Sequence, residues 1–383
     1  MRIVKSTIFA SALLIASGCA ITTERLGTSE YHAALLWQDE ALELIKKYQL
    51  NPLRASRVLA YLHKGMDETS TEAKRRSQRA DCVVSAVDHV ASRTLDYFFP
   101  LETAGRLVAK AELRRNRSGD CVTGLHAANQ VFIDTRSGSE RDGALPPRRL
   151  RANSAPKVGS WQATPPVFIV NPAEPFAGEW KPFFVSRPAE LTIAPPLDPS
   201  SAAYRVATFE VLEVAKQLTA AEQRTAEFWH LDAGSITPSG IWNLKLRDLL
   251  KENADPHADS LRLLAALNMA MYDAMVTCWH YKYAFWTERP ITAAERLGLG
   301  AWTPMLVTPP FPSYPSGHAT VSGAAAEVIA AYLPAHADTV RKWAAEAAMS
   351  RLWGGIHFRF DNDEGLALGR QVGSTANARM PPR

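Results

Sequence analysis

Apolar positions along this chain recur at helical spacing, and nowhere do they alternate convincingly with polar ones over the length of a strand. Leu35, Leu36, Ala41, Leu42, Leu44 and Ile45 form one apolar face; Ala55, Val58, Leu59 and Leu62 form a second. Val83, Val84, Val87, Val90, Ala91, Leu95 and Phe98 form a third, which Pro100 stops, and Leu107-Val108-Ala109 with Leu113 begins another near Cys121. The pattern predicts helices through residues 31–115, with these faces as the core of a bundle. It returns from Ala202 onward. Thr219-Ala-Ala-Glu222 reads as a capping box ahead of Phe228 and Trp229. Helices are expected over 238–251 and 259–288, then over 317–333 with Val321, Ala325, Val328, Ile329 and Tyr332 on one face, ending at Pro334. Asp338 can cap a helix that reaches Leu352, Gly354-Gly355 is expected to break it, and residues 357–373 can form the last one. The expected class is all-α, with two bundle-like halves at 28–135 and 201–380.

Between the halves, residues 136–200 change character. Twelve prolines from Pro146 to Pro199 exclude long helices. Trp161, Phe168, Trp180, Phe183 and Phe184 imply that this irregular connector packs on the body.

Composition narrows the class without naming a function. The chain has 383 residues, 46% of them hydrophobic and 21% charged, which suits one large or two modest globular domains. Its net charge of +4 includes Arg2 and Lys5; without them the chain is close to neutral, which argues against a nucleic-acid surface. Those two residues precede the apolar stretch from Ile8 to Ala16, too short to span a membrane, and the whole reads as an export signal. Ala16-Ser17-Gly18-Cys19 has the form of a bacterial lipobox, which makes Cys19 the expected lipidated first residue of an exported, periplasmic lipoprotein, anchored in the outer membrane. The alternative is an ordinary signal peptide cut near Cys19. No other stretch is long and apolar enough to cross a membrane. Export permits a disulfide, and Cys82 and Cys121 could form it, leaving Cys278 as a packed free thiol.

Three clusters of chemically capable residues fall in the last hundred positions. Lys282 and Arg289 are seven apart, two helical turns, so both can point the same way from one helix before Pro290 stops it. Two cations on one face repel unless an anion lies between them; read alone, the pair is a solvated basic face. Ser316-Gly317-His318 opens a helix, whose free N–H groups and partial positive charge suit an oxyanion. Gly317 permits close backbone approach, Ser316 adds a hydroxyl, and His318 can act as acid or base. Arg351 and His357 do not share a helical face, but the Gly354-Gly355 break lets them converge. Asp361, one turn past His357, can orient its imidazole and select one tautomer. Zinc fits poorly, because Lys282 and Arg351 would oppose the metal.

Together these clusters read Lys-x6-Arg-Pro, Pro-Ser-Gly-His and Ser-Arg-x5-His-x3-Asp over residues 280–365. That order and spacing resembles the superfamily of type 2 phosphatidic acid phosphatases and vanadium-dependent haloperoxidases. The resemblance implies that Lys282, Arg289, Ser316, Gly317 and Arg351 bind the oxygens of vanadate or phosphate, that His357 binds the central atom as its metal ligand, and that His318 is the acid/base. Phe311-Pro-Ser-Tyr-Pro315 ahead of the second cluster is similar to the fungal chloroperoxidase form, and Trp279 matches an aromatic wall residue of that group, so Trp279 and Phe311 are expected to border the halide pocket. Gly159-Ser160-Trp161 to Pro166 resembles a connector of exported haloperoxidase-like proteins, and Asn243 is shared with them without an assigned role.

The resemblance leaves two chemistries for one pocket, because a five-coordinate vanadate resembles the transition state of phosphoryl transfer. As a haloperoxidase, the site takes hydrogen peroxide and a halide and yields hypohalous acid, with Lys282 polarising the peroxide. As an acid phosphatase it takes a phosphate ester; His357 attacks phosphorus to form a phosphohistidine, and His318 protonates the leaving group. The connector and the length of the chain favour the haloperoxidase. A non-catalytic oxyanion binder is the third reading, and His318, His357 and Asp361 count against it, since binding alone needs no acid/base pair.

Overall fold

The computed structural model describes residues 29–76, 78–102, 107, 110–111, 121–147, 157–252 and 259–382. The leader and Cys19 lie outside them. Among the described residues the architecture is all-α, with one isolated bridge, Ser160 to Thr287, in place of a sheet. No described helix is long and apolar enough to cross a membrane.

The first half holds α1 (Glu30–Lys47), α2 (Pro52–Arg75), α3 (Ala80–Phe98) and α4 (Val122–Glu140). Local chemistry starts them: the Ser29 and Asn51 side chains accept from the backbone N–H groups of His32 and Arg54, and Pro52 takes the first helical position, where an N–H is not needed. The Cys82–Cys121 disulfide ties the start of α3 to the start of α4, and Cys278 is a buried free thiol. Because α4 runs to Glu140, the irregular connector begins later than 136; the first proline after α4 is Pro146, so nothing in residues 136–140 forbids a helix.

The second half holds α5 (Ala202–Lys216), α6 (Ala220–Phe228), α7 (Thr237–Glu252), α8 (Ser260–Phe285), α9 (Pro290–Arg296), α10 (Gly317–Tyr332), α11 (Ala337–Trp353) and α12 (Arg359–Arg379). The expected Thr219/Glu222 capping box opens α6. α8 is the axis of the molecule. It is buried without interruption from Leu263 to Trp279 and packs against α2, α10 and α12, so both halves share one core. Apart from Asn268, Asp273 and Thr277, its buried stretch is apolar on every face, as a fully enclosed helix requires. Asn243 of α7 and Asn268 of α8 exchange side-chain hydrogen bonds at 2.7 and 2.9 Å, a closed polar pair with no opening to a site.

α10 and α12 cross closely because glycine lines the crossing. A β-carbon at Gly369 would sit 2.1 Å from the Thr320 carbonyl oxygen, and one at Gly365 would sit 2.8 Å from that of Ser316. This approach brings the start of α12, with Asp361, beside the start of α10, with Ser316 to His318; the Ser316 N–H donates to the Asp361 carbonyl at 2.9 Å.

The connector is bound to the body through buried polar contacts. The carboxylate of Asp273, on α8, accepts from the backbone N–H groups of Phe183, Phe184 and Val185 at 2.7, 2.7 and 3.0 Å. Arg57 and Asp142 form a buried ion pair at 2.7 Å. Trp161, Trp180 and Phe184 are buried as expected, but Phe168 is exposed. It stands at φ +51° in a run from Val167 to Val170 that faces solvent.

Candidate functional site

Lys282 and Arg289 do not share one helix. α8 ends at Phe285, where Trp286 takes a left-handed conformation at φ +55° and its N–H bonds back to Lys282. The following residues are captured by the connector: Trp161 N–H donates to the Trp286 carbonyl and Glu288 N–H to that of Gly159, both at 2.8 Å. Pro290 then starts α9 instead of stopping α8. The two cations still converge, through a loop shaped by Gly159-Ser160-Trp161. Gly159 is required there: its φ is +75°, and a β-carbon would fall 2.1 Å from a side-chain carbon of Pro199. Glu288 turns away from the cations and pairs with Arg296 and Tyr204.

Arg351 closes the last turn of α11, and Gly355, at φ +75°, reverses the chain so that His357 returns beside it. His357 and Asp361 meet as expected, Nδ1 to Oδ2 at 2.8 Å. The same carboxylate oxygen accepts from Ser313 Oγ at 2.5 Å and from the Phe358 N–H at 3.2 Å. On the far side of the ring, Arg289 Nη1 approaches Nε2 at 3.1 Å. A carboxylate facing Nδ1 and a guanidinium donor facing Nε2 select the neutral tautomer with its proton on Nδ1 and its lone pair on Nε2. Burial holds His357 well below the ordinary imidazole range, helped by the charges of Arg289, Lys282 and Arg351.

Lys282 is fully buried and donates to the carbonyls of Pro312 and Ser313 at 2.8 and 2.7 Å. Its ammonium lies 5.2 Å from the Phe311 ring centre and 5.7 Å from that of Trp279, while the Arg289 guanidinium carbon lies 4.9 Å from Phe311. Burial pushes Lys282 down, and it pushes Asp361 up. Arg289, also lowered by burial, titrates at about 10 and Arg351 at about 9, so both remain charged at neutral pH.

Ser316 caps α10, its Oγ accepting from the Ala319 N–H at 3.5 Å. The absent side chain of Gly317 leaves room for Trp279; a β-carbon would stand 3.3 Å from that indole. His318 lies in the first turn, held well below the ordinary imidazole range by burial and by the neighbouring Arg351.

These elements enclose a narrow pocket lined by Trp279, Phe311, Gly317, His318, Arg351 and His357. Lys282, Arg289, Ser316 and Asp361 stand in the layer behind. Around 40 Å³ is open to the centres of water-sized particles, against the roughly 10–15 Å³ one water needs, which is room for a small tetrahedral ion. Four buried polar atoms of these residues have no partner: Arg289 Nη2, Arg351 Nη1, His318 Nε2 and Asp361 Oδ1. Orphaned buried guanidinium donors are costly, and an oxyanion satisfies both arginines at once, while the neutral His318 offers its Nε2 as a base. The donor set therefore fits a tetrahedral oxyanion. It does not fit a bare cation. Among the described residues the one grouping of metal-ligand type is Asp81 with Cys82 and Cys121, and those two sulfurs are joined to each other.

The sequence reading missed the loop between α6 and α7. His230, Leu231 and Asp232 line the same pocket, and the Asp232 charge favours the charged forms of Arg289 and Arg351. It also missed Pro52, from the first half, and Met275, one turn before Trp279. Met275 shares a helical face with Trp279 and Lys282, a spacing that could have found it; no spacing links Pro52 or the His230–Asp232 loop to the three clusters, and only the fold brings them there.

A family profile for the VCPO second helical-bundle domain matches residues 299–338 and 333–381. The vanadium chloroperoxidase of Curvularia inaequalis is 29% identical over 131 residues, covering 27% of this chain and 22% of that protein's length. A bacterial vanadium-dependent iodoperoxidase superposes with a TM-score of 0.74 at 24% identity, over 91% of this chain and 95% of its own. An apo-type bacterial vanadium-dependent chloroperoxidase does so at 0.68 with 15% identity, over 87% and 96%. These likenesses show that the chain has the all-α fold of vanadium-dependent haloperoxidases, and its last third, which carries His318, Arg351, His357 and Asp361, is similar to the VCPO second helical-bundle domain.

Proposed function

We propose that the protein is a vanadate-dependent haloperoxidase. The observation that carries this reading is the pair of orphaned buried guanidinium donors, Arg289 Nη2 and Arg351 Nη1, together with a histidine, His357, whose Nε2 carries a lone pair. Arg289, Arg351, Ser316, Gly317 and Lys282 would hold the oxygens of vanadate, and His357 Nε2 its central atom. Bound vanadate would activate hydrogen peroxide toward a halide, giving hypohalous acid.

The remaining chemistry belongs to the chain. Asp361 keeps the proton of His357 on Nδ1, so the lone pair stays on Nε2. His318, which lines the pocket, would accept and return a proton at Nε2, an atom buried without a partner. Lys282 donates two protons to carbonyls, and in its charged form the third would polarise a bound oxygen. Trp279, Phe311 and Pro309 present apolar surface that limits water beside the reacting halide.

The Cys82–Cys121 disulfide supports an oxidising compartment, consistent with export behind the proposed leader and lipidation at Cys19.

The test is oxidation of chloride, bromide and iodide by hydrogen peroxide, using phosphate-free protein with and without orthovanadate. Vanadate-dependent halide oxidation that phosphate suppresses is expected. No halide oxidation, with hydrolysis of a phosphate ester that vanadate inhibits, would move the assignment to acid phosphatase.

A further inference from the structure

Met275 stands on α8 one turn before Trp279 and lines the pocket together with His318, Arg351 and His357, yet it is only 2% exposed. Among the residues lining that pocket it is the single sulfur. A thioether is a soft two-electron reductant, and oxidation converts an apolar side chain into a polar one.

We propose that Met275 is the site of turnover-linked self-oxidation: hypohalous acid formed in the pocket converts its thioether to the sulfoxide before the oxidant escapes. The inference rests on the haloperoxidase reading. In the step, the sulfur lone pair attacks the oxidant, an S–O bond forms, and the oxygen–halogen bond breaks. Halide leaves with the bonding pair and the hydroxyl proton is released, so methionine is oxidised by two electrons and hypohalous acid is reduced to halide. The new oxygen is a hydrogen-bond acceptor in a pocket that holds unpaired donors and little spare volume. It competes for the donors an oxyanion needs, so activity declines as the sulfoxide accumulates.

The neighbouring methionines supply internal references. Met269 and Met271 lie on the same helix and do not line the pocket, and Met305 is 36% exposed to solvent. Oxidant arriving from bulk solution meets Met305 first; oxidant made in the pocket meets Met275 first.

The experiment is mass-spectrometric mapping of methionine oxidation in the vanadate-loaded protein during turnover with bromide and peroxide. A parallel sample receives reagent hypobromite without turnover. Expected is an oxygen added at Met275 ahead of Met305 during turnover, the reverse order with reagent hypobromite, and neither when bromide is omitted. A second measurement compares inactivation per turnover, not initial rate, in Met275→Leu, where at least a twofold longer lifetime is expected. Sustained bromide oxidation with Met275 reduced while Met305 is oxidised overturns the inference and leaves the haloperoxidase reading standing. No bromide oxidation at all overturns both.

Discussion

Arg351→Met isolates what one orphaned donor contributes. The side chain donates through Nη2 to the Ala226 carbonyl and through Nε to Ser350 Oγ, both at 3.0 Å, while Nη1 is buried without a partner. Methionine keeps an unbranched apolar stem of similar reach and removes the charge and all three donor positions. The lost bonds to Ala226 and Ser350 are lost whether or not an anion is bound, so they cancel from the binding equilibrium. What remains is the hydrogen bond from Nη1 to the oxyanion. A hydrogen bond to a charged group contributes about 1.5–3 kcal/mol. At roughly 1.4 kcal/mol per factor of ten, the dissociation constant for orthovanadate should rise about 10- to 150-fold. The assay is isothermal titration calorimetry of phosphate-free protein with orthovanadate. Arg359→Met is the matched control: that arginine pairs with Glu210 at 2.6 Å and does not line the pocket, so its affinity should stay within threefold of the parent. Arg351→Met binding within threefold of the parent would refute the assignment of Nη1 to the oxyanion. A change of equal size in both variants would show general damage.

Asp361→Ala strips a shared acceptor from Ser313, His357 and the Phe358 N–H, and should cost about 3–5 kcal/mol of stability along with most vanadate affinity, read by urea unfolding and calorimetry; unaltered vanadate binding would remove its tautomer-setting role. Lys282→Met tests linkage. Burial lowers the folded pKa of Lys282 below its ordinary 10.5, so the unfolded chain binds the extra proton in the window below that value, and stability gains as pH rises toward it. The parent should therefore gain stability relative to the variant as pH increases through that window, and parallel urea midpoints across it would contradict the burial argument. His318→Ala should abolish halide oxidation but weaken vanadate binding less than Arg351→Met, because the neutral imidazole serves as a base and not as a charged donor; a loss of affinity as large as that of Arg351→Met would make His318 a binding group. Replacing Cys82 and Cys121 together by Ala opens a link across 39 residues, which chain entropy values at about 4 kcal/mol, measurable as a shifted urea midpoint with vanadate binding retained. Gly369→Ala places a β-carbon 2.1 Å from a backbone oxygen and should destabilise by about 3 kcal/mol, with the loss read by thermal unfolding.

Helical periodicity alone determined the all-α class, the start of α10 at Ser316-Gly317-His318 and the capped start of α6, because these depend on residues within a turn or two of one another. The pairing of His357 with Asp361 was legible for the same reason, four residues being one turn. The convergence of Lys282 and Arg289 was legible as a result but not as a geometry. Periodicity predicts one helix through Arg289, whereas the segment after Phe285 is taken by the backbone of Gly159 to Trp161, more than a hundred residues earlier. A local pattern carries no record of a competing long-range partner, so it cannot register where such a partner ends a helix. The same limit hid the His230–Asp232 loop and the contribution of Pro52. Whether cations are paired or left unpaired is also a tertiary matter. The sequence by itself determined that three cations and two histidines come in a recognisable order. Only the packing of α10 against α12, the turn at Gly355 and the loop pinned by the connector decided that Arg289 Nη2, Arg351 Nη1 and His318 Nε2 are all buried and unsatisfied. That condition depends on everything that surrounds an atom, and the surroundings come from the whole chain.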